Sequence, residues 1–118
     1  MTELVACFSH GEKTQSHVIK LVESKDWSKI FLITNEQFKE HFKSLKNVEF
    51  VLVDFRQPVK ELINEITSKL RNKLTDIEVA LNLVSGNGKE HMAILSALLK
   101  LGVGIRLMAI TKEGLKEL

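Results

Sequence analysis

Asn82-Leu83-Val84-Ser85-Gly86-Asn87-Gly88-Lys89-Glu90-His91-Met92 joins an apolar strand to an apolar helix through two glycines and a lysine. The run before the glycines, Val79 to Val84, has the length and apolar character of a buried strand. The run after them, Met92 to Leu101, is helix-forming and apolar on more than one face. A strand, a glycine-bearing turn and a helix start leave backbone N–H groups without internal partners, at the positive end of the helix dipole. Such a site suits phosphate. Lys89, in the first turn, adds a full positive charge on a flexible stem. Alternatively, Gly86 and Gly88 do no more than supply the positive φ of a tight turn.

Working outward, the runs Leu4 to Phe8, Ile30 to Thr34, Val48 to Phe55, Val79 to Val84 and Ile105 to Ile110 predict five strands. Between them, Glu12 to Lys25, Glu36 to Leu45, Pro58 to Leu74 and Lys89 to Leu101 carry apolar residues at helical spacing. Val59, Leu62, Ile63, Ile66, Leu70 and Leu74 make the longest stripe. Pro58 suits a first helical turn, and Gly102 suits a left-handed cap after the last helix.

Strict strand–helix alternation implies right-handed crossovers and a mostly parallel sheet. The expected fold is a single domain over residues 1–118. It is a Rossmann-like three-layer α/β sandwich whose five strands run in the order 3-2-1-4-5, with helices on both faces. Ligands of such sheets bind beyond the carboxyl ends of the strands, where the strand order reverses. The connections meeting there are Ser9-His10-Gly11-Glu12-Lys13-Thr14 and Ser85-Gly86-Asn87-Gly88-Lys89.

Composition narrows the function classes. Seventeen basic against fifteen acidic residues give a net charge of +2, too balanced for a dense basic face that grips duplex nucleic acid. Cys7, the single cysteine, lies in an apolar run and reads as a buried core thiol, with no partner for a disulfide. No apolar run approaches the roughly 20 residues needed to cross a bilayer, and no basic leader precedes an apolar stretch. The expectation is a cytoplasmic protein without a membrane partner.

The turn is not a Walker A loop. Only Asn87 separates Gly86 from Gly88, and Glu90 rather than Ser or Thr follows Lys89. The dinucleotide fingerprint is missing as well, since Gly11 stands alone after the first strand. No HExxH or Cys/His cluster has metal-ligand spacing, so neither a metal nor a cofactor is expected. No Gly-x-Ser-x-Gly supports acyl chemistry. His17 and His41 fall on polar helix faces and read as solvated. His10 and His91 fall at the crevice end of the sheet, where each could donate to phosphate or carry a proton, or have no task. Ser9 either orients a phosphate or caps the first helix. Thr34, Asn35, Asp54 and Arg56 end the second and third strands at the same rim.

The Ser9 loop and the run NLVSGNGKEHM together make the chain similar to the CRISPR-associated Rossmann-fold (CARF) domains. In that family the fourth strand ends in a motif of the form Asn-x-Thr-Gly-Gly-Thr-Lys-x-Met. Asn82, Gly86, Lys89 and Met92 match in kind, with Ser85 in place of threonine and Asn87-Gly88 in place of glycine and threonine.

The resemblance implies a homodimer that binds cyclic oligoadenylate. Some members of the family act as ring nucleases by metal-independent attack of a ribose 2′-hydroxyl on the adjacent phosphate, and a domain without an effector could do the same. Under that implication Lys89, Ser9, His10 and His91 are the catalytic candidates. Gly11, Asn35, Asn82, Ser85, Gly86, Asn87, Gly88 and Met92 are the ligand-binding ones, and the amides of Gly88 and Lys89 stabilise the phosphoryl oxygens. The competing readings are a non-catalytic nucleotide-sensing dimer that acts on a separate effector, and a small protein that binds a phosphorylated metabolite.

Overall fold

A computed structural model describes residues 2–118. Its elements in chain order are β1 (Glu3–Cys7), α1 (Glu12–Glu23), β2 (Lys29–Thr34), α2 (Glu36–Lys39), β3 (Glu49–Leu52), α3 (Val59–Leu70), β4 (Glu78–Asn82), α4 (Gly88–Leu101), β5 (Gly104–Thr111) and β6 (Gly114–Glu117). They form one α/β unit around a mixed sheet of order β3-β2-β1-β4-β5-β6. The five expected strands are parallel and lie in the expected order. The sixth corrects the count.

β6 folds back antiparallel on β5 through Lys112 and Glu113, pairing Thr111 with Gly114 and Met108 with Glu117. Gly114 turns the corner at φ 97°, and Thr111 Oγ1 accepts the Glu113 N–H. The strand has one apolar residue in four, Leu115. A polar edge strand of this kind discourages further pairing and gives little periodic signal.

The chain leaves β1 toward β2 and β3, then crosses back to β4 and β5. With right-handed crossovers, α1 and α2 cover one face of the sheet and α3 and α4 the other. Alternation along β1 divides the core accordingly. Leu4, Ala6 and Phe8 pack with Val18, Leu21 and Val22 of α1, and with Leu32, Ala80 and Met108. Val5 and Cys7 pack with Leu62, Ile66 and Leu70 of α3, and with Ala93, Ile94, Ala97 and Leu98 of α4. Each fully buried Leu, Ile or Phe contributes about 1.5–3 kcal/mol relative to exposure.

Two helices are shorter than their periodicity suggests. α2 stops at Lys39 because Phe42 is drawn edge-on against both Phe8 and Phe50, with ring centroids 5.5 and 5.8 Å away. α3 stops at Leu70 because Arg71 is extended and Asn72 takes φ 67°. Leu74 therefore reaches the core from a turn rather than from a fifth helical position. At the opposite end of the sheet from the strand termini, buried Glu3 accepts from the N–H and hydroxyl of Thr75 and the N–H of Asp76. That carboxylate ties β1 to the loop entering β4.

Candidate functional site

β4 ends because Asn82 turns inward. Its Oδ1 accepts the Val84 N–H at 3.2 Å, and its Nδ2 donates to Met108 O at 2.8 Å and to His17 Nε2 at 3.2 Å. Asn82 is buried, and its amide is spent joining β4, β5 and α1. His17, expected on a solvated face, is half-buried, and its Nε2 also accepts the Ile110 N–H at 3.4 Å. Burial, helped by the charge of Lys20, lowers its pKa. His17 neighbours the buried stripe Val18, Leu21 and Val22, which is why the polar-face reading fails for it. His41 is exposed, as expected, edge-on to Phe38.

Past Val84 the two crevice loops interlock. The Ser9 N–H donates to Ser85 Oγ at 2.9 Å, and the Ser9 hydroxyl donates to Glu90 Oε1 at 2.8 Å. Gln15 Nε2 donates to Ser9 O. Ser9 and Ser85 are fully buried. Gly86 takes φ +105°, where a Cβ would lie 2.6 Å from Glu90 Oε1 and 2.8 Å from Cys7 Sγ. Cys7 is buried, and burial first, then the Glu90 charge, pushes its thiol far up. That thiol is inert core, as read.

Asn87 is the N-cap of α4. Its Oδ1 accepts the Glu90 N–H at 2.9 Å, and Glu90 Oε1 accepts the Asn87 N–H at 3.1 Å, a reciprocal capping box. Glu90, 4 % exposed, thus holds Asn87 and Ser9 with one oxygen. Sequence reasoning passed over it, although Asn87-x-x-Glu90 has the spacing of a capping box. Gly88 and Lys89 follow, and their amides, the first two of the helix, have no intrahelical partner. Gly88 is exposed, and a Cβ there meets nothing within 4 Å.

The Lys89 ammonium donates to Phe55 O at 3.0 Å and is half-buried. The lysine thereby spans from the start of α4 to the loop after β3. His91 donates Nε2–H to Ser85 O at 2.8 Å, which leaves Nδ1 as its acceptor. His10 is exposed at the end of β1, tilted over Phe38 with centroids 6.4 Å apart. Gly11 starts α1 at φ +104°. Met92 is turned outward, on an exposed stripe with Leu95 and Leu99.

A cleft of about 610 Å³ opens at this rim, lined by Asn35, Glu36, Gln37, Phe38, Val53, Asp54, Phe55, Arg56 and Glu90. Asn35 caps α2 through its Oδ1. Asp54 accepts from the Arg56 backbone and side chain. Those bonds, reinforced by the charge of Lys89, hold its carboxyl below the usual range. Glu36, Asp54 and Glu90 set three carboxylates against Arg56 and Lys89.

The cleft is therefore built by the segments that follow β2 and β3, together with Glu90 from the first turn of α4. Asn35 lines it, Lys89 and His10 reach lining residues through Phe55 O and the Phe38 ring, and Gly86, Asn87 and Gly88 form the turn that leads to Glu90. Gly11, by contrast, meets only Thr14, and His91 is held on Ser85 O. Ser9, Ser85 and Asn82 support it from beneath, and Met92 stands apart. Among the described residues, no three His, Cys, Asp or Glu side chains gather so as to hold a metal ion. Nor, among the described residues, is any helix long and apolar enough to cross a membrane. No family model and no curated protein matches the chain.

Proposed function

We propose that the chain binds a nucleotide phosphodiester at the carboxyl ends of β1 and β4. Cyclic oligoadenylate is the form that the resemblance to CARF domains implies. One observation carries the reading: Gly88 and Lys89 present two unpaired amides and an ammonium group, at a glycine open to solvent, beside a cleft of about 610 Å³. A phosphate seated there would accept from both amides and from the lysine.

The charge balance of the cleft favours a diester over a polyphosphate. Two cations against three carboxylates do not match the dense charge of a triphosphate, whereas a diester carries one negative charge per nucleotide. Glu36 and Asp54 are acceptors of the kind that ribose hydroxyls and exocyclic amines require. Phe38, half-buried at the rim, offers apolar surface for a base.

Binding without turnover is the better-supported form. Ser9 is buried and committed to Glu90, and His91 Nε2 is committed to Ser85 O. His10, exposed at the rim, and the unengaged Nδ1 of His91 are the remaining proton carriers, and turnover would rest on one of them.

Native mass spectrometry with cyclic tetra-adenylate, cyclic hexa-adenylate and AMP tests the reading. Uptake of a cyclic ligand whose mass is unchanged after incubation is expected. Recovery of a linear product would replace sensing with cleavage. Equal or no uptake of all three by both the wild type and Lys89→Ala would overturn the site.

A further inference from the structure

β2 and β3 leave the sheet side by side. Thr34 pairs with Leu52, and the Val53 N–H donates to Thr34 O at 2.9 Å, so the residues after the two strands stay adjacent. Asn35, Glu36, Gln37 and Phe38 enter α2, while Asp54, Phe55 and Arg56 lead toward α3, and the two segments wall the cleft. Lys89 reaches from α4 to Phe55 O at 3.0 Å, which fixes this wall against the turn that carries the free amides. A nucleotide whose phosphate sits on those amides turns its base toward the wall.

The polar groups of the wall differ in what remains open on them. Asn35 Oδ1 is taken by the Phe38 N–H at 2.8 Å. Asp54 Oδ1 accepts both the backbone N–H and the Nε–H of Arg56, at 2.9 and 3.3 Å. Those bonds leave the terminal nitrogens of Arg56 as an open fork of donors. Glu36, exposed at the first position of α2, keeps both carboxylate oxygens free of partners among the described residues. Phe38 is half-buried, with the rings of His10 and His41 centred 6.4 and 5.9 Å from its own.

We propose that the base held at this wall is guanine, read by the Glu36 carboxylate and the Arg56 guanidinium. The inference rests on the phosphodiester reading above and adds the identity of the base. An aromatic ring stacks on every base, so Phe38 holds a base without choosing it. The choice falls to the base edges. Guanine sets two donors side by side, N1–H and an N2–H, which match the two oxygens of one carboxylate. It also sets two acceptors side by side, O6 and N7, which match an arginine fork. Adenine and cytosine place a ring acceptor beside their amino group, and uracil flanks its N–H with carbonyl oxygens. An ionised carboxylate has no hydrogen to offer, so each of these bases sets a lone pair against its second oxygen. The rest of the lining points the same way. Asp54 and Glu90 add carboxylates beside Glu36, against Arg56 as the lining cation, and an acceptor-rich wall suits the base with the most donors on one edge.

Equilibrium binding of the dinucleoside monophosphates GpG, ApA, CpC and UpU to the full chain tests the assignment, since each has a single diester and no terminal phosphate. GpG is expected to bind at least about tenfold tighter than the other three. Glu36→Gln replaces a pair of acceptors with a donor beside an acceptor, the pattern that adenine matches. It should lower GpG affinity about tenfold and raise ApA affinity about threefold. Arg56→Lys keeps the charge but removes the fork, and should lower GpG affinity about fivefold. Lys89→Ala should weaken all four alike, because the phosphate is common to them. Equal affinities that still depend on Lys89, or a preference for another base, would overturn the guanine assignment and leave the phosphodiester site standing. A GpG preference that survives both Glu36→Gln and Arg56→Lys would overturn it too, by showing that other groups read the base. Absence of any Lys89-dependent binding would overturn the phosphodiester reading and this inference with it.

Discussion

Ser9 donates its hydroxyl to Glu90 Oε1 across the point where the strand order reverses, joining the first βα connection to the first turn of α4. The same oxygen accepts the Asn87 N–H, so a carboxylate sits directly beneath the two free amides of the helix. Its fixed negative charge stiffens the turn and opposes an incoming anion at short range.

Glu90→Gln separates these effects. The amide retains one acceptor oxygen and the shape of the capping box, so the loss of stability should be about 1 kcal/mol. Affinity for a phosphodiester should rise several-fold as the charge is removed. Urea unfolding and calorimetric titration with cyclic tetra-adenylate measure the two. A fall in affinity would mean that the carboxylate contacts the ligand favourably.

Gly86→Ala is expected to be the costliest single change at the rim. An alanine at φ +105° is strained, and its Cβ would collide with Glu90 Oε1 and with Cys7 Sγ, neither of which has room to retreat. The loss should reach about 2–4 kcal/mol, read as a lower urea midpoint at unchanged slope. A change under about 0.5 kcal/mol would show that the loop relaxes freely.

The contrast between Gly86 and Gly88 marks how far the sequence could be read. Apolar runs and their alternation with helical stripes sufficed for five strands, their order and the buried face of α3, whereas α4, apolar on more than one side, gave no single face. Burial on both sides of a parallel sheet leaves short continuous apolar runs. β6 left none, having Leu115 as its one apolar residue. α2 kept a helical pattern over residues that the Phe8, Phe42 and Phe50 contacts unwind, which is tertiary packing overriding propensity. Lys89, Gly88 and His10 lie past the carboxyl ends of β4 and β1, where position along the chain puts them. Position alone did not distinguish residues that line a crevice from those that brace it. Ser9 and Asn82 turn inward because buried loop ends must satisfy their own polar groups, a demand set by neighbours distant in sequence.

Gly88→Ala and Lys89→Ala should uncouple binding from folding. At Gly88 a Cβ meets no protein atom and φ is ordinary for a helix, so alanine should stabilise the chain by about 0.4–1 kcal/mol. If a phosphate approaches these amides, the same methyl group should weaken nucleotide binding. Lys89→Ala gives up one hydrogen bond to Phe55 O. It should leave the melting temperature nearly unchanged while lowering affinity by at least about tenfold. Binding equal to wild type in both variants would place the ligand elsewhere.

His17 gives the fold a pH dependence on the other side of β4. Its Nε2 must be unprotonated to accept from Asn82 and Ile110, and burial holds its pKa below the ordinary 6.5. Above 6.5 the imidazole is neutral in both folded and unfolded chains, and its contribution to stability is fully present. As pH falls below 6.5 the unfolded chain takes up the proton first, so the contribution is lost progressively toward the lowered folded value. Other groups titrate in the same range, and comparison with His17→Gln isolates this one. The stability advantage of wild type over the variant should be greatest near pH 7.5 and shrink by about pH 5.5, measured as paired urea midpoints. Parallel curves for the two proteins would show that Nε2 is not the acceptor joining α1 to β4 and β5.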